Sequence, residues 1–178
     1  MTSTKVITDK VRFSYTHVWE PAAMEEGQQK KYSVSLIIPK SNKKLVQKLK
    51  DAIKVAFEEG KAKFGGKVPA TWKNPLRDGD EERPDDENYE GAYFVNANSL
   101  RKPGIVDENA SPIIDRDEFY SGCYGRASIN FSAFNVSGNK GVAAGLNNLQ
   151  KLEDGPRLSG GASAEDDFGS EAESDELF

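Results

Sequence analysis

Between Gly122 and Asn135 apolar and polar residues alternate with period two, the pattern of a half-buried strand. Cys123, Gly125, Ala127, Ile129, Phe131 and Ala133 share one face, which belongs in a core. Tyr124, Arg126, Ser128, Asn130, Ser132 and Phe134 share the other. The same rhythm predicts a strand over 5–16, with Val11, Phe13 and Tyr15 inward and Lys10, Arg12 and Ser14 outward. Glu20-Pro21 is expected to end any ladder there, because proline has no N–H to give. A second strand is expected over 31–38, stopped by Pro39. A third covers 91–98, with Tyr93, Val95 and Ala97 opposite Phe94, Asn96 and Asn98. Pro112 to Ile114 reads as a short edge strand. A Gly138-Asn139 hairpin signal precedes a returning strand over 140–146.

The period changes to 3.6 after Ser41, the expected N-cap of a helix. Leu45, Leu49, Ala52, Ile53, Ala56 and Phe57 form one apolar stripe, and Gly60 marks the helix end. Lysines 43, 44, 48, 50 and 54 surround the stripe and read as a solvated face. Residues 67–90 have few apolar side chains and read as a long acidic loop. From Glu153 onward Gly, Ser, Ala, Asp and Glu dominate, too little apolar surface to offset chain entropy. The expected organisation is a folded body over 1–152 and a disordered acidic tail over 153–178. There is no βαβ rhythm. The fold class expected is mainly β with one substantial helix, an OB-fold-like, partly open antiparallel barrel of five strands. Its helix follows the second strand, whereas a standard OB barrel carries it after the third.

Charge changes this picture. The net charge of −5 conceals an asymmetry: residues 153–178 hold nine acids and one Arg, a net of −8, which leaves +3 for residues 1–152. Within the body, 40–73 carries ten Lys against three acids, and 74–120 carries five basic residues against thirteen acids. A mildly basic body with an acidic appendage is a hint of nucleic-acid work.

Catalytic chemistry has little to draw on. One histidine, His17, and one cysteine, Cys123, cannot make a Cys/His zinc site, and their separation disfavours a Cys-His nucleophile pair. No cofactor or metal is expected, and the protein is read as not an enzyme. The alternative is a metal-dependent nuclease using Asp78 and Asp80, near Asp85 and Asp86; a virion structural or interaction protein is another. No apolar run approaches a membrane span, and Met1 to Val6 has no leader pattern. A lone cysteine fits a reducing cytoplasm, which is the expected location.

Rings beside cations on an open sheet face suit unstacked bases and their phosphates. The candidates for stacking are Tyr124, Phe134 and Phe94, with Trp72 and Trp19 competing against a role in core packing. Lys10, Arg12, Arg126, Arg101 and Lys102 are candidates for phosphate contacts. At the tail tip, Asp175, Glu176, Leu177 and Phe178 combine carboxylates with a terminal ring, a docking-peptide pattern.

Several blocks then carry a resemblance: Asn74 to Asp80, Tyr89 to Ala97, Tyr120 to Tyr124, Lys140 to Val142 and Leu146 to Lys151. In these the chain resembles bacteriophage and prophage single-stranded-DNA-binding proteins, formerly a domain of unknown function. The resemblance implies an OB-fold that coats single-stranded DNA in phage replication or recombination, without catalysis, in the host cytoplasm. It also implies an acidic tail that recruits replication or recombination proteins. Bacterial tails of this plan carry Pro before the final Phe, where this chain has Leu177. A homo-oligomer is compatible with the pattern; a membrane is not expected as a partner.

Overall fold

The alternating stretch forms β7 (Tyr124–Val136), and its predicted inner face is the inner face. Cys123, Ala127, Ile129 and Phe131 are at most 1% exposed and Ala133 is 6% exposed, whereas Arg126 and Ser132 face solvent. The computed structural model describes residues 3–23, 25–67 and 69–158. Its elements in order are β1 (Lys5–Ile7), β2 (Val11–Ala22), β3 (Lys31–Pro39), α1 (Lys43–Glu59), β4 (Arg77–Asp78), α2 (Gly79–Glu82), β5 (Ala92–Ser99), β6 (Gly104–Val106), β7 and β8 (Asn139–Glu153).

Five strands pair in a ring: β7 with β2, β2 with β3, β3 with β5, β5 with β8, and β8 with β7. Two joints are thin. β2 meets β7 only at Val11 and Arg12, and β5 meets β8 only at Ala97 and Asn98. This is the expected OB-like, mainly β arrangement with one substantial helix, a partly closed sheet, with two corrections. The β5–β8 joint is parallel, as is β6–β8. Eight strands are present among the described residues, because β1, β4 and β6 add short flanks to the five. Among the described residues no helix is long and apolar enough to cross a membrane.

α1 follows the second strand of the ring, as the sequence pattern indicated. Its stripe, joined by Val46, is buried against β7, β1 and β8. Asn42, not Ser41, is the N-cap: its side chain accepts from the Leu45 N–H at 3.2 Å. The expected first strand is two. Thr8 exchanges bonds with Ala127, giving its N–H to the Ala127 carbonyl and taking the Ala127 N–H on its hydroxyl. The chain turns there from β7 onto β3. β2 then runs through Trp19 to Ala22, past the proline expected to stop it. Pro21 lies in the register gap between His17 and Ala22, where no ladder N–H is required.

The hairpin turn is Ser137-Gly138, one residue earlier than expected. Both residues have positive φ (52° and 86°), the two-residue geometry that matches strand twist. Pro112 makes a single bridge to Val106 instead of an edge strand. The acidic loop is structured: it contains β4, α2 and a single helical turn at Glu87–Tyr89. Tyr89 is fully buried and gives its hydroxyl to Ser35 Oγ at 3.0 Å.

The body also extends past residue 152. β8 ends at Glu153, and residues 154–158 lie across β2 and β7. Pro156 O accepts from Arg12 Nη2 at 2.9 Å, Leu158 N–H gives to Ser121 O at 3.0 Å, and Tyr120 OH gives to Gly155 O at 2.9 Å. Composition carries no sign of these contacts, which join the segment's backbone to Arg12, Ser121 and Tyr120, with Leu158 packed against Ile37, Tyr89, Ala92 and Phe94. The tail-tip residues Asp175, Glu176, Leu177 and Phe178 lie outside the described residues.

Candidate nucleic-acid interface

The register of the ring sets three cross-strand rows on the outer face of β2, β3 and β5. The first is Arg12, Ile37, Phe94, continuing to Arg77 on β4. The second is Ser14, Ser35, Asn96, and the third is His17, Ser33, Asn98. The first row is covered. Phe94 is 1% exposed, packed edge-on against Tyr89 at 5.1 Å, with the guanidiniums of Arg77 and Arg83 over it. Ser35 and Asn96 of the second row and His17, Ser33 and Asn98 of the third form the floor of an open groove of about 740 Å³, while Ser14 is buried. Its walls are Tyr15 and Arg83 on one side and Ala22, Ala23, Gln28 and Gln29 from the β2–β3 connection on the other. Asn96 and Asn98 also line a second depression, with Lys73, Arg77, Ala143 and Phe134. The two are therefore one channel, crossing β2, β3, β5 and β8 and reaching Phe134 on β7.

Tyr15 enters this face through a bulge. Ser14 pairs with Ser35 and His17 with Ser33, so two residues of β2 oppose one of β3. Tyr15 has φ +46°, a left-handed conformation that costs a non-glycine residue about 1–3 kcal/mol. Strict alternation would send its ring into the core beside Phe13. The bulge instead leaves it 41% exposed at the groove. The sequence offered no glycine or proline to signal the bulge. Arg83 steadies the ring, with its guanidinium carbon 5.1 Å from the Tyr15 centroid and Nη1 giving to the Tyr15 hydroxyl at 3.4 Å. The same guanidinium lies 4.8 Å from Tyr89 and 4.9 Å from Phe94. Its Nε is buried without an acceptor, and it makes no ion pair among the described residues. A cation held on three rings and free of an ion pair among the described residues puts positive charge at the groove wall.

The other sequence candidates separate. Phe134 is half-buried and lines the channel. Tyr124 lies ten residues along β7, roughly 33 Å at strand rise. Its ring carries Lys10 and Arg12 at 5.3 Å each, and Gly155 lies so near that an added Cβ would meet its Cε2 at 2.7 Å. Arg12 is spent on the Gly122 and Pro156 carbonyls, and Lys10 on Glu153. Arg126 Nε gives to Thr8 O at 2.9 Å, away from the groove. Trp72 packs on Phe57 at 4.9 Å, and Trp19 gives its indole N–H to Phe119 O at 3.0 Å; both are lids on the core. Lys102 caps Trp19 at 4.8 Å, and Arg101 is exposed beside it on the β5–β6 connection. The structure thus gathers Phe134 with Tyr15, Arg83, Arg77 and Lys73, and leaves the remaining candidates elsewhere.

Asp78 and Asp80, the pair considered for metal-dependent cleavage, are clasped by Lys40, whose ammonium is 2.8 Å from each. That ammonium holds both carboxyls below the usual range, helped at Asp80 by the Gly91 N–H. The Lys40 pKa is raised in turn by both acids. The clasp ties the 77–91 excursion to β3, and so positions Arg83. Depressed carboxyls contribute stability that is present above their unfolded pKa of about 4 and lost as pH falls through the folded values. In Lys40→Met both carboxyls should return toward the ordinary range in an NMR titration, and acid unfolding should begin at higher pH. Unchanged carboxyl titrations would show that the clasp does not hold in solution.

Comparison with known proteins places this geometry. The model of the Enterobacter phage Enc34 ssDNA-binding protein family matches residues 4–178. A protein designated p50, from Acyrthosiphon pisum secondary endosymbiont phage 1, is 34% identical, with 98% of each chain covered. The single-stranded DNA-binding protein from bacteriophage Enc34, solved in complex with ssDNA, superposes with a TM-score of 0.78 at 23% identity, covering 88% of this chain and 90% of that one. The gp2.5 single-stranded DNA binding protein of bacteriophage T7 superposes with a TM-score of 0.56 at 14% identity, covering 92% and 99%. With a match over nearly its whole length, the chain belongs to the Enterobacter phage Enc34 ssDNA-binding protein family.

Proposed function

We propose that this protein is a non-catalytic, sequence-tolerant binder of single-stranded DNA, which it takes across the outer face of β2, β3, β5 and β8. The observation that carries this reading is the Tyr15 bulge. A strained ring is turned out of the core onto the rim of an open groove that ends at a second half-exposed ring, Phe134. Between them the lining includes the small or hydrogen-bonding side chains Ser33, Ser35, Asn96, Asn98 and Ala143, with Val34, Val142 and Glu82 beside them. Such a floor admits any base, because each base presents a flat face to a ring and polar edges to amides and hydroxyls. Arg83 and Lys73 supply positive charge along the path, whereas Arg77 is paired with Glu82.

Coating of single-stranded DNA during phage replication or recombination, in the host cytoplasm, is the setting that family membership supports. The acidic segment ending in Leu177-Phe178 serves in this reading as the recruiter of partner proteins. Fluorescence anisotropy with labelled oligo-dT and with duplex, at two salt concentrations, tests the proposal. Oligo-dT should bind more tightly than duplex, and its affinity should fall steeply with salt. Equal affinity for both forms, or none for either, contradicts the reading.

A further inference from the structure

The channel has rims of opposite charge. Residues 78–90, at the Arg83 side, hold eight acids and one Arg; residues 60–76, beyond the Phe134 end, hold four Lys and no acid. The basic run is anchored to both sides of the β7–β8 hairpin. Lys63 Nζ gives to Ala133 O at 2.9 Å, and Asn135 Nδ2 gives to Lys63 O at 3.0 Å. Lys73 N–H gives to Lys140 O at 2.9 Å, and Val142 N–H gives to Lys73 O at 3.0 Å. Gly141 makes this approach possible, since a Cβ there would press on the Lys73 backbone. Lys67 stands exposed on the span between these anchors, Lys73 lines the channel beside Phe134, and Lys140 lies on the hairpin itself. None of these three makes an ion pair among the described residues, whereas Lys10, Lys40, Lys61 and Lys151 all do.

We infer that Lys67 and Lys140, continuing from Lys73 at the channel mouth, form a collar around the hairpin that carries the sugar–phosphate backbone onward from Phe134, outside the base-stacking groove. This rests on the reading of the groove as the single-strand site. At the Arg83 end one guanidinium stands among eight acids, whereas at the other end the collar offers ammoniums without ion pairs among the described residues. The groove is then a stacking subsite and the collar a purely electrostatic one. Only a strand long enough to leave the groove engages both.

The test compares oligo-dT of about 4 and about 16 nucleotides, the range for one OB-type domain. Full-length protein is set against the Lys67→Gln/Lys140→Gln variant, which leaves Lys73 in the groove, with melting curves to confirm an equal fold. For the long strand the variant should lose about tenfold or more in affinity at 0.1 M salt. Its salt slope should be shallower by about 1.4, at about 0.7 per phosphate contact for two contacts. The short strand should bind within about twofold of wild type. If the variant matches wild type on the long strand, or loses equally on both, the collar is overturned while the groove stands. If wild type binds neither strand, the groove reading fails and the collar with it. Should the double variant melt lower, the two single substitutions carry the same comparison.

Discussion

The Tyr15→Ala/Phe134→Ala double variant is expected to bind oligo-dT about 1,000-fold more weakly than wild type, with each single change costing about 30-fold. Stacking one base on a ring is worth about 1–3 kcal/mol, and two such losses near 2 kcal/mol each give that factor. The two rings lie at opposite ends of the channel and share no partner, so their effects should add. Stability should move the other way at Tyr15. Alanine still occupies the left-handed position, but a glycine there would relieve strain, so Tyr15→Gly should melt no lower than Tyr15→Ala. Tyr124→Ala is the internal control. Its ring is committed to Lys10, Arg12 and the 154–158 segment, so it should lower the melting temperature and leave oligo-dT affinity within about twofold. An anisotropy titration in which Tyr124→Ala lost affinity and Phe134→Ala did not would reverse this assignment.

The largest loss of stability is expected from Gly125→Ala. Gly125 lies at the bulge where β7 passes from Tyr124 to the long ladder with β8. An added Cβ would collide with the carbonyl oxygen of Gln150 and meet Lys151 Cα at 3.0 Å. These are backbone atoms of the neighbouring strand and have no rotamer to yield. Separating the strands there also opens the thin joint at Val11, which pairs with Gly125. Overpacking of this kind costs about 3 kcal/mol or somewhat more, which is roughly a 6–12 °C fall in melting temperature for a body of this size. A thermal melt of Gly125→Ala within about 2 °C of wild type would show that β7 and β8 are spaced differently from the ladder described.

The parts of the fold legible in the sequence were those set by local periodicity. β7 announced both its faces because the eleven residues from Tyr124 to Phe134 alternate without a break, and α1 because its stripe keeps helical spacing over four turns. Features made by distant partners were silent. The 77–91 excursion looked like solvated acid because what fixes it is Lys40, thirty-eight residues before Asp78, and the burial of Tyr89 under β3. Phe94 was placed on the correct face, but nothing nearby in sequence revealed that Tyr89 and Arg83 would cover it. Tyr15 was assigned to the core because period two holds from Val11 to Phe13 and breaks only at the bulge. Half of the proposed site was therefore visible in Phe134, and the other half lay in a backbone irregularity that leaves no compositional mark. Tyr124 and Arg126 shared a face with Phe134 as expected, yet a strand of thirteen residues is long enough for one face to serve two separate surfaces.

Cross-linking of oligo-dT carrying bromodeoxyuridine, followed by mass spectrometry of the joined peptides, locates the strand directly. Attachment at Tyr15 and Phe134, with the β5 peptide bearing Asn96 and Asn98 protected from hydrogen exchange, is the predicted result. Attachment at Tyr124 or Trp19, with those asparagines exchanging freely, would contradict it.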